Sequence, residues 1–148
     1  MSDADVVALQ QLAYRYAEAV DTGDVDGFLA VFHPDARVRS FAPDADEPFS
    51  EVAGHDQLAA MPETTRRMFR RTFHQMTNHL VAVDGDLATG TLLCAARFLS
   101  ADPVDDSAGV NVIRYVDHYE RRSGEWRIAD REIHFLWSER HPLAGGNG

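Results

Sequence analysis

The sequence predicts an α+β domain in which N-terminal helices pack on a curved, mainly antiparallel sheet. Three observations carry this expectation: helical spacing of apolar residues at the N-terminus, three long alternating segments in the second half, and a length of 148 residues that suits one buried core. Val6, Leu9, Ala13, Tyr16, Ala17 and Val20 fall on one face of a helix running from Asp3 to Val20. Gly23 suits a left-handed C-terminal position, and Asp24 serves as N-cap for a second helix holding Val25, Phe28, Leu29, Val31 and Phe32, with Asp26 as its first-turn acid. His33-Pro34-Asp35 is read as the helix exit, Ala36 to Phe41 as a short strand and the acidic stretch Ala42 to Ser50 as a loop. His55 to Arg71 reads as a third helical region, kinked at Pro62 and ending in Arg66, Arg67, Arg70 and Arg71. Thr72 to Val83, Leu87 to Ser100 and Val110 to Arg121 are expected to form an antiparallel meander, completed by a last strand from Trp126 to Trp137. The domain is taken to span residues 1–143, with Ala144 to Gly148 as a frayed tail.

Composition narrows the function classes. Apolar residues make up 45% and charged residues 26%, an ordinary globular balance. Fourteen Lys and Arg against 24 Asp and Glu give a net charge of −10, which repels nucleic-acid backbones and anionic membranes. Neither is expected as a partner. The single cysteine, Cys94, cannot form an intrachain disulfide and is read as a small inward-facing side chain. With no leader-like N-terminus and no long apolar run, a cytoplasmic setting is expected. No His-x-x-x-His or Cys-x-x-Cys spacing occurs, and no serine stands in a Gly-x-Ser-x-Gly setting, so no metal, cofactor or nucleophile is predicted.

Alternation and periodicity single out a few residues. Asp21 lies beside the apolar stripe in the last turn of the first helix, where the helix dipole disfavours a carboxylate. It is either a functional acid, a partly exposed helix-end acid or the partner of a buried arginine. Strict alternation puts His74, Met76, Asn78 and Leu80 on one face of their strand, with Phe73, Gln75, Thr77 and His79 on the other. His74 and His79 would then point oppositely. On the last strand Arg131 shares a face with Arg127, Ala129, Ile133, Phe135 and Trp137, and a buried guanidinium there requires an acceptor. Asn111, Ile113 and Tyr115 alternate along the third long strand and are read as pocket wall.

Leu12 to Asp21, Gly23-Asp24, Phe28 and Phe32-His33-Pro34-Asp35-Ala36, then Phe73-His74, Thr77-Asn78-His79 and Tyr119-Glu120-Arg121-Arg122 with Gly124 and Trp126, follow one another in an order that resembles the SnoaL-like branch of the NTF2-like superfamily. The resemblance spans most of Val6 to Trp137. It implies a cone-shaped α+β barrel closed on one side by helices, with an apolar pocket inside. It also resembles the Asp/His lyases of that group, the bile-acid and scytalone dehydratases and the dehydrochlorinases. On that resemblance His74 takes the place of the base and Asp21 that of the aspartate orienting it. Arg131 stands where an arginine positions the aspartate or draws out a leaving group. Tyr16 stands where the bile-acid dehydratases carry a pocket tyrosine, and core packing is an equal reading of it. The expectation is a cofactor-independent lyase, a dehydratase of an apolar cyclic substrate of polyketide, steroid-like or alicyclic type. Met76, Asn78, Asn111, Ile113, Tyr115, Ile133 and Phe135 are expected to line its pocket. Isomerase, cyclase or hydrolase chemistry in the same pocket, or non-catalytic binding of a small hydrophobic ligand, are the alternatives. Relatives are commonly dimers or trimers, so a homodimer or homotrimer is expected through an outer sheet face bearing Trp126, Ile128 and His134.

Overall fold

In the computed structural model, which describes residues 2–143, Ser2 opens the first helix, α1 (Asp3–Thr22), by accepting the Asp5 N–H at 3.1 Å. Gly23 closes α1 at φ +70°, a conformation that costs a residue with a Cβ about 1–2 kcal/mol. A Cβ at Gly23 would also fall on the guanidinium of Arg66, which donates from Nη1 to the Thr22 carbonyl at 3.3 Å. Arg66 thereby supplies a cation to a helix end that has no basic residue of its own in the last turn. Asp24 then caps α2 (Val25–Ala30) by accepting the Gly27 N–H at 3.0 Å.

Beyond α2 the chain contributes β1 (Phe32–Phe41), β2 (Ser50–Ala53), α3 (Gly54–Leu58), α4 (Met61–Met68), β3 (Phe69–Asp84), β4 (Leu87–Ser100), β5 (Ser107–Arg122) and β6 (Glu125–Pro142). The strands form one mixed sheet in the order β2-β1-β6-β5-β4-β3, with β1 parallel to β6 and all other neighbours antiparallel. The fold class is α+β, with the four-strand meander intact. The sheet stays open, its edges being β2 and β3.

Several boundaries differ from the sequence reading. The second helix ends at Ala30, because Ile128 donates to the Val31 carbonyl at 2.9 Å and draws the next residues into the sheet as β1. Pro34 is tolerated there because it lies inside the irregular register between Phe32 and Arg37, where no ladder bond is needed. The loop from Ala42 ends in the short strand β2, and the helical region after it is two helices, with β3 starting at Phe69. The last tail, Ala144 to Gly148, lies outside the described residues.

Three of the register slips in the sheet reverse the facing expected from the sequence, since one extra residue reverses the alternation of a strand. The first is at Asn78, which adopts φ +52° between the paired positions Thr77 and Leu80. His74, Met76 and His79 are therefore turned inward, while Asn78 and Leu80 are exposed; the opposite placement of His74 and His79 and the inward placement of Asn78 are corrected by this bulge. The second leaves Ala129 unpaired, because His118 faces Asp130 and Tyr119 faces Ile128. Trp126 and Ile128 thus join Arg131 and Ile133 inside, and the expected outer face loses its two large apolar residues. The third, at Leu136, keeps Phe135 inside and turns Trp137 outward opposite Val112.

Helix α1 lies across the inner face of the sheet, with Leu9, Leu12, Ala13, Tyr16 and Val20 in the core together with Phe28, Phe32, Leu92, Tyr115 and Ile128. Leu9, Phe28, Phe32 and Ile128 are fully buried, each worth roughly 1.5–3 kcal/mol of transfer free energy. The outer face of β1 and β6 is instead polar, with Arg37 and Arg39 both bonded to Asp130 at 2.7 and 3.4 Å.

Candidate active site

The end of α1 and the start of β3 meet at one carboxylate. Asp21 leaves the last turn of α1, and Thr72 and His74, two residues apart on β3, face it from the sheet. Asp21 Oδ1 accepts from the Thr72 hydroxyl at 2.9 Å and from the His74 ring at 2.6 Å, while Oδ2 accepts the His74 main-chain N–H at 3.0 Å. Burial alone would raise this carboxyl; the hydrogen bonds from His74 and Thr72, with the attraction of the imidazole, hold it below the ordinary carboxylate value of 3.8. A carboxylate only accepts, so the proton of the neutral imidazole stays on Nδ1 and the lone pair sits on Nε2.

The histidine ring forms part of the wall of a cavity of about 360 Å³. Its floor and sides come from Tyr16, Phe28, Ala96, Phe98, Ile113, Tyr115, Ile133 and Phe135, and its rim from Phe49, Val52, Met61, Thr64, Thr65, Met68 and Phe69. Asn111 also lines it, whereas Met76 packs against the core beside it and Asn78 stands outside. On α4 the residues Met61, Thr64, Thr65 and Met68 recur at 3, 4 and 7 positions, one helical face turned to the cavity. Among the described residues no Lys, Arg, Asp or Glu is part of the lining.

Arg131 is held elsewhere than beside Asp21. Its side chain is 1% exposed and its Nε and Nη2 donate to Asp117 Oδ1 and Oδ2 at 2.8 and 2.9 Å, a two-point pair with a carboxylate that is itself fully buried. The guanidinium carbon lies 4.4 Å from the Tyr16 ring centroid and 4.2 Å from that of Tyr115. Tyr119 donates its hydroxyl to Asp117 at 2.8 Å and is joined by His79 at 3.0 Å, so a second polar chain runs beneath the two cavity tyrosines. Burial raises the phenol of Tyr16 despite the pull of Arg131, which keeps it protonated at neutral pH and able to donate. Its ring meets that of His74 edge-on, with centroids 6.4 Å apart.

Thr72 and Asp117 were both missed by sequence reasoning, although period-two alternation pointed to each. Thr72 precedes His74 by two, and Asp117 follows Tyr115 by two and pairs across the ladder with Arg131. The demand of a buried arginine for an acceptor was the signal. Among the described residues no group of three or more His, Cys, Asp or Glu is placed to hold a metal ion.

A family model for the SnoaL-like domain matches residues 3–132. The chain belongs to the SnoaL-like family. No curated protein matches it. Among solved structures, the SnoaL-like chain superposes on hexachlorocyclohexane dehydrochlorinase LinA-type3 from Novosphingobium barchaimii LL02 with a TM-score of 0.83 at 16% identity, covering 98% of this chain and 95% of that one. A candidate scytalone dehydratase from Novosphingobium aromaticivorans DSM 12444 gives 0.77 at 22% identity over 99% and 96% of the two chains. A candidate aromatic ring hydroxylase from Novosphingobium aromaticivorans gives 0.79 at 24% identity over 95% and 96%. These likenesses show a shared fold, and dehydratases and dehydrochlorinases are among the proteins that have it.

Proposed function

We propose that this SnoaL-like protein is a cofactor-independent lyase, a dehydratase that removes water from an apolar cyclic substrate. The observation that carries the reading is the Asp21–His74 pair, with the histidine lining an apolar cavity. His74 Nε2 takes a proton from a carbon of the substrate, the C–H electron pair becomes the new double bond, and the neighbouring C–O bond breaks. The proton returns from the imidazolium to the departing hydroxide, so the products are alkene and water and His74 ends as it began. Asp21 holds the ring in the reactive tautomer and stabilises its cation, and the protonated hydroxyl of Tyr16 hydrogen-bonds the leaving oxygen. Arg131, tied to Asp117, acts at a remove by holding the faces of Tyr16 and Tyr115. A lyase of this kind with no helix, among the described residues, long and apolar enough to cross a membrane fits a cytoplasmic protein. An oligomer formed through the outer sheet face would use Phe73 and Trp137, both more than half exposed, in place of the inward Trp126 and Ile128.

The test is water loss from a panel of alicyclic β-hydroxy ketones, followed by the absorbance of the enone. His74→Ala and Asp21→Asn should each lower kcat by about 10²–10⁴-fold with the far-UV spectrum unchanged. Turnover that survives the double substitution removes the dyad from the mechanism. Tight binding of the panel with no turnover in the native protein assigns the cavity to ligand carriage instead.

A further inference from the structure

With Arg131 held by Asp117, the side-chain hydrogen bonds that Asp21 makes among the described residues all come from β3, from Thr72 and His74. His74 supplies its main-chain N–H to Oδ2 and its ring to Oδ1, and together these fix the plane of the carboxylate. Thr72 adds a bond of 2.9 Å to Oδ1, the same oxygen that accepts from the imidazole. The direction of that bond is determined. Asp21 is held below the ordinary carboxylate value, so at neutral pH it has no proton to give and the Thr72 hydroxyl must donate. Thr72 faces Phe98 across the ladder and both line the cavity, so the bond lies in apolar surroundings that strengthen it.

We infer that Thr72 is a positioning residue that limits how strongly Asp21 stabilises the protonated form of His74. The inference rests on the lyase reading for the use made of the base, whereas the hydrogen-bond geometry stands without it. Two donors share the charge of Oδ1. Density drawn by the hydroxyl is withheld from the Nδ1–H bond, so the imidazolium formed when Nε2 takes a proton gains less than Asp21 alone would give it. This matters to the reaction, because a general base must be neutral to accept a proton and a carboxylate that holds it too strongly keeps it charged. The other ionisable groups facing the pair do not make this adjustment. Tyr16 on α1, Cys94 on β4 and Tyr115 on β5 are all raised by burial and stay uncharged at pH 7. Arg131 on β6 is matched by Asp117, and Arg66 on α4 donates to the Thr22 carbonyl at an exposed position.

Titration of His74 tests this without turnover. Proton NMR of the full-length protein follows its seven imidazoles with pH, and the His74 resonance is the one missing from His74→Ala. Thr72→Val keeps the branched shape, removes the donor and puts a methyl group where a replacing water would stand. The His74 midpoint should rise by about 0.5–1 pH unit, the worth of one hydrogen bond, and the Nδ1–H resonance should move downfield. Thr72→Ser keeps the hydroxyl and should stay within about 0.2 pH unit of the native protein, and Thr72→Cys, a weaker donor, should fall between serine and valine. In the lyase assay the acid limb of kcat/KM should move up by the same amount with KM unchanged, whereas a mere loss of packing would lower kcat and leave the midpoint in place. Should the valine variant fail to fold, the cysteine variant carries the same test. A midpoint that stays at the native value or falls in Thr72→Val or Thr72→Cys overturns the inference, as does a serine variant that matches valine. If the midpoints move as expected while the native protein turns over no β-hydroxy ketone, the lyase reading fails and the role of Thr72 stands.

Discussion

Replacing Asp117 by Asn tests whether the buried pair beneath the cavity is structural support. An asparagine keeps the size of the side chain and still accepts the Tyr119 hydroxyl, now at 2.8 Å, so the change removes chiefly the charge opposite Arg131. Arg131 then remains with a side chain 1% exposed and no counter-charge, and its Nη1 already lacks a partner among the described residues. Breaking a buried pair in this way costs about 3–5 kcal/mol. For a chain of this length each kcal/mol corresponds to about 2–4 °C, so the melting temperature should fall by roughly 6–20 °C. Urea unfolding at pH 7, followed by far-UV circular dichroism, reads the loss directly. The double variant Asp117→Leu, Arg131→Met replaces both charges by apolar groups and should recover more than half of it. A loss below about 1 kcal/mol in Asp117→Asn would refute the argument, because the guanidinium would then have found water or another acceptor.

Three further outcomes are expected. The Asp21 carboxyl is held below its unfolded value of 3.8, so its contribution is fully present above that value and disappears as pH falls through the lower folded one; the stability gap between the native protein and Asp21→Asn, measured by urea midpoints, should therefore shrink below about pH 4, and a gap that widens there contradicts the hydrogen-bond geometry. Cys94 is buried on the inner face and its thiol is pushed up from 9.0 to about 12, which cuts the thiolate fraction at pH 8 roughly a thousandfold. A disulfide reagent should thus label it at a measurable rate only after unfolding, and rapid labelling of the folded protein would show that the core opens. Light scattering at micromolar concentration should give a multiple of the 16.5 kDa chain mass, and a monomer would remove the outer-face oligomer.

The local elements were legible in the sequence because they depend on neighbours a few positions away. The apolar stripe from Val6 to Val20, the Gly23 stop, the Asp24 cap and the alternation within each long strand are of this kind, and they were enough to place α1 before a meander. Asp21 and His74 were singled out the same way, with the family resemblance supplying their roles. Which side chains share the cavity was decided only by the tertiary structure. Asn78, Ala129 and Leu136 each shift the register of a strand by one residue, and strict period-two reading has no means of detecting a bulge whose cause is pairing with another strand. For that reason Trp126, Ile128 and His79 moved inside and Trp137 moved out. The partner of Arg131 was set by the ladder that puts Asp117 opposite it, and the meeting of Asp21 with Thr72 and His74, 51 and 53 positions away, by the packing of α1 across the sheet. Periodicity along a chain fixes which face a residue prefers, whereas contact across such separations exists only once the helix and the curved sheet have closed on a common core.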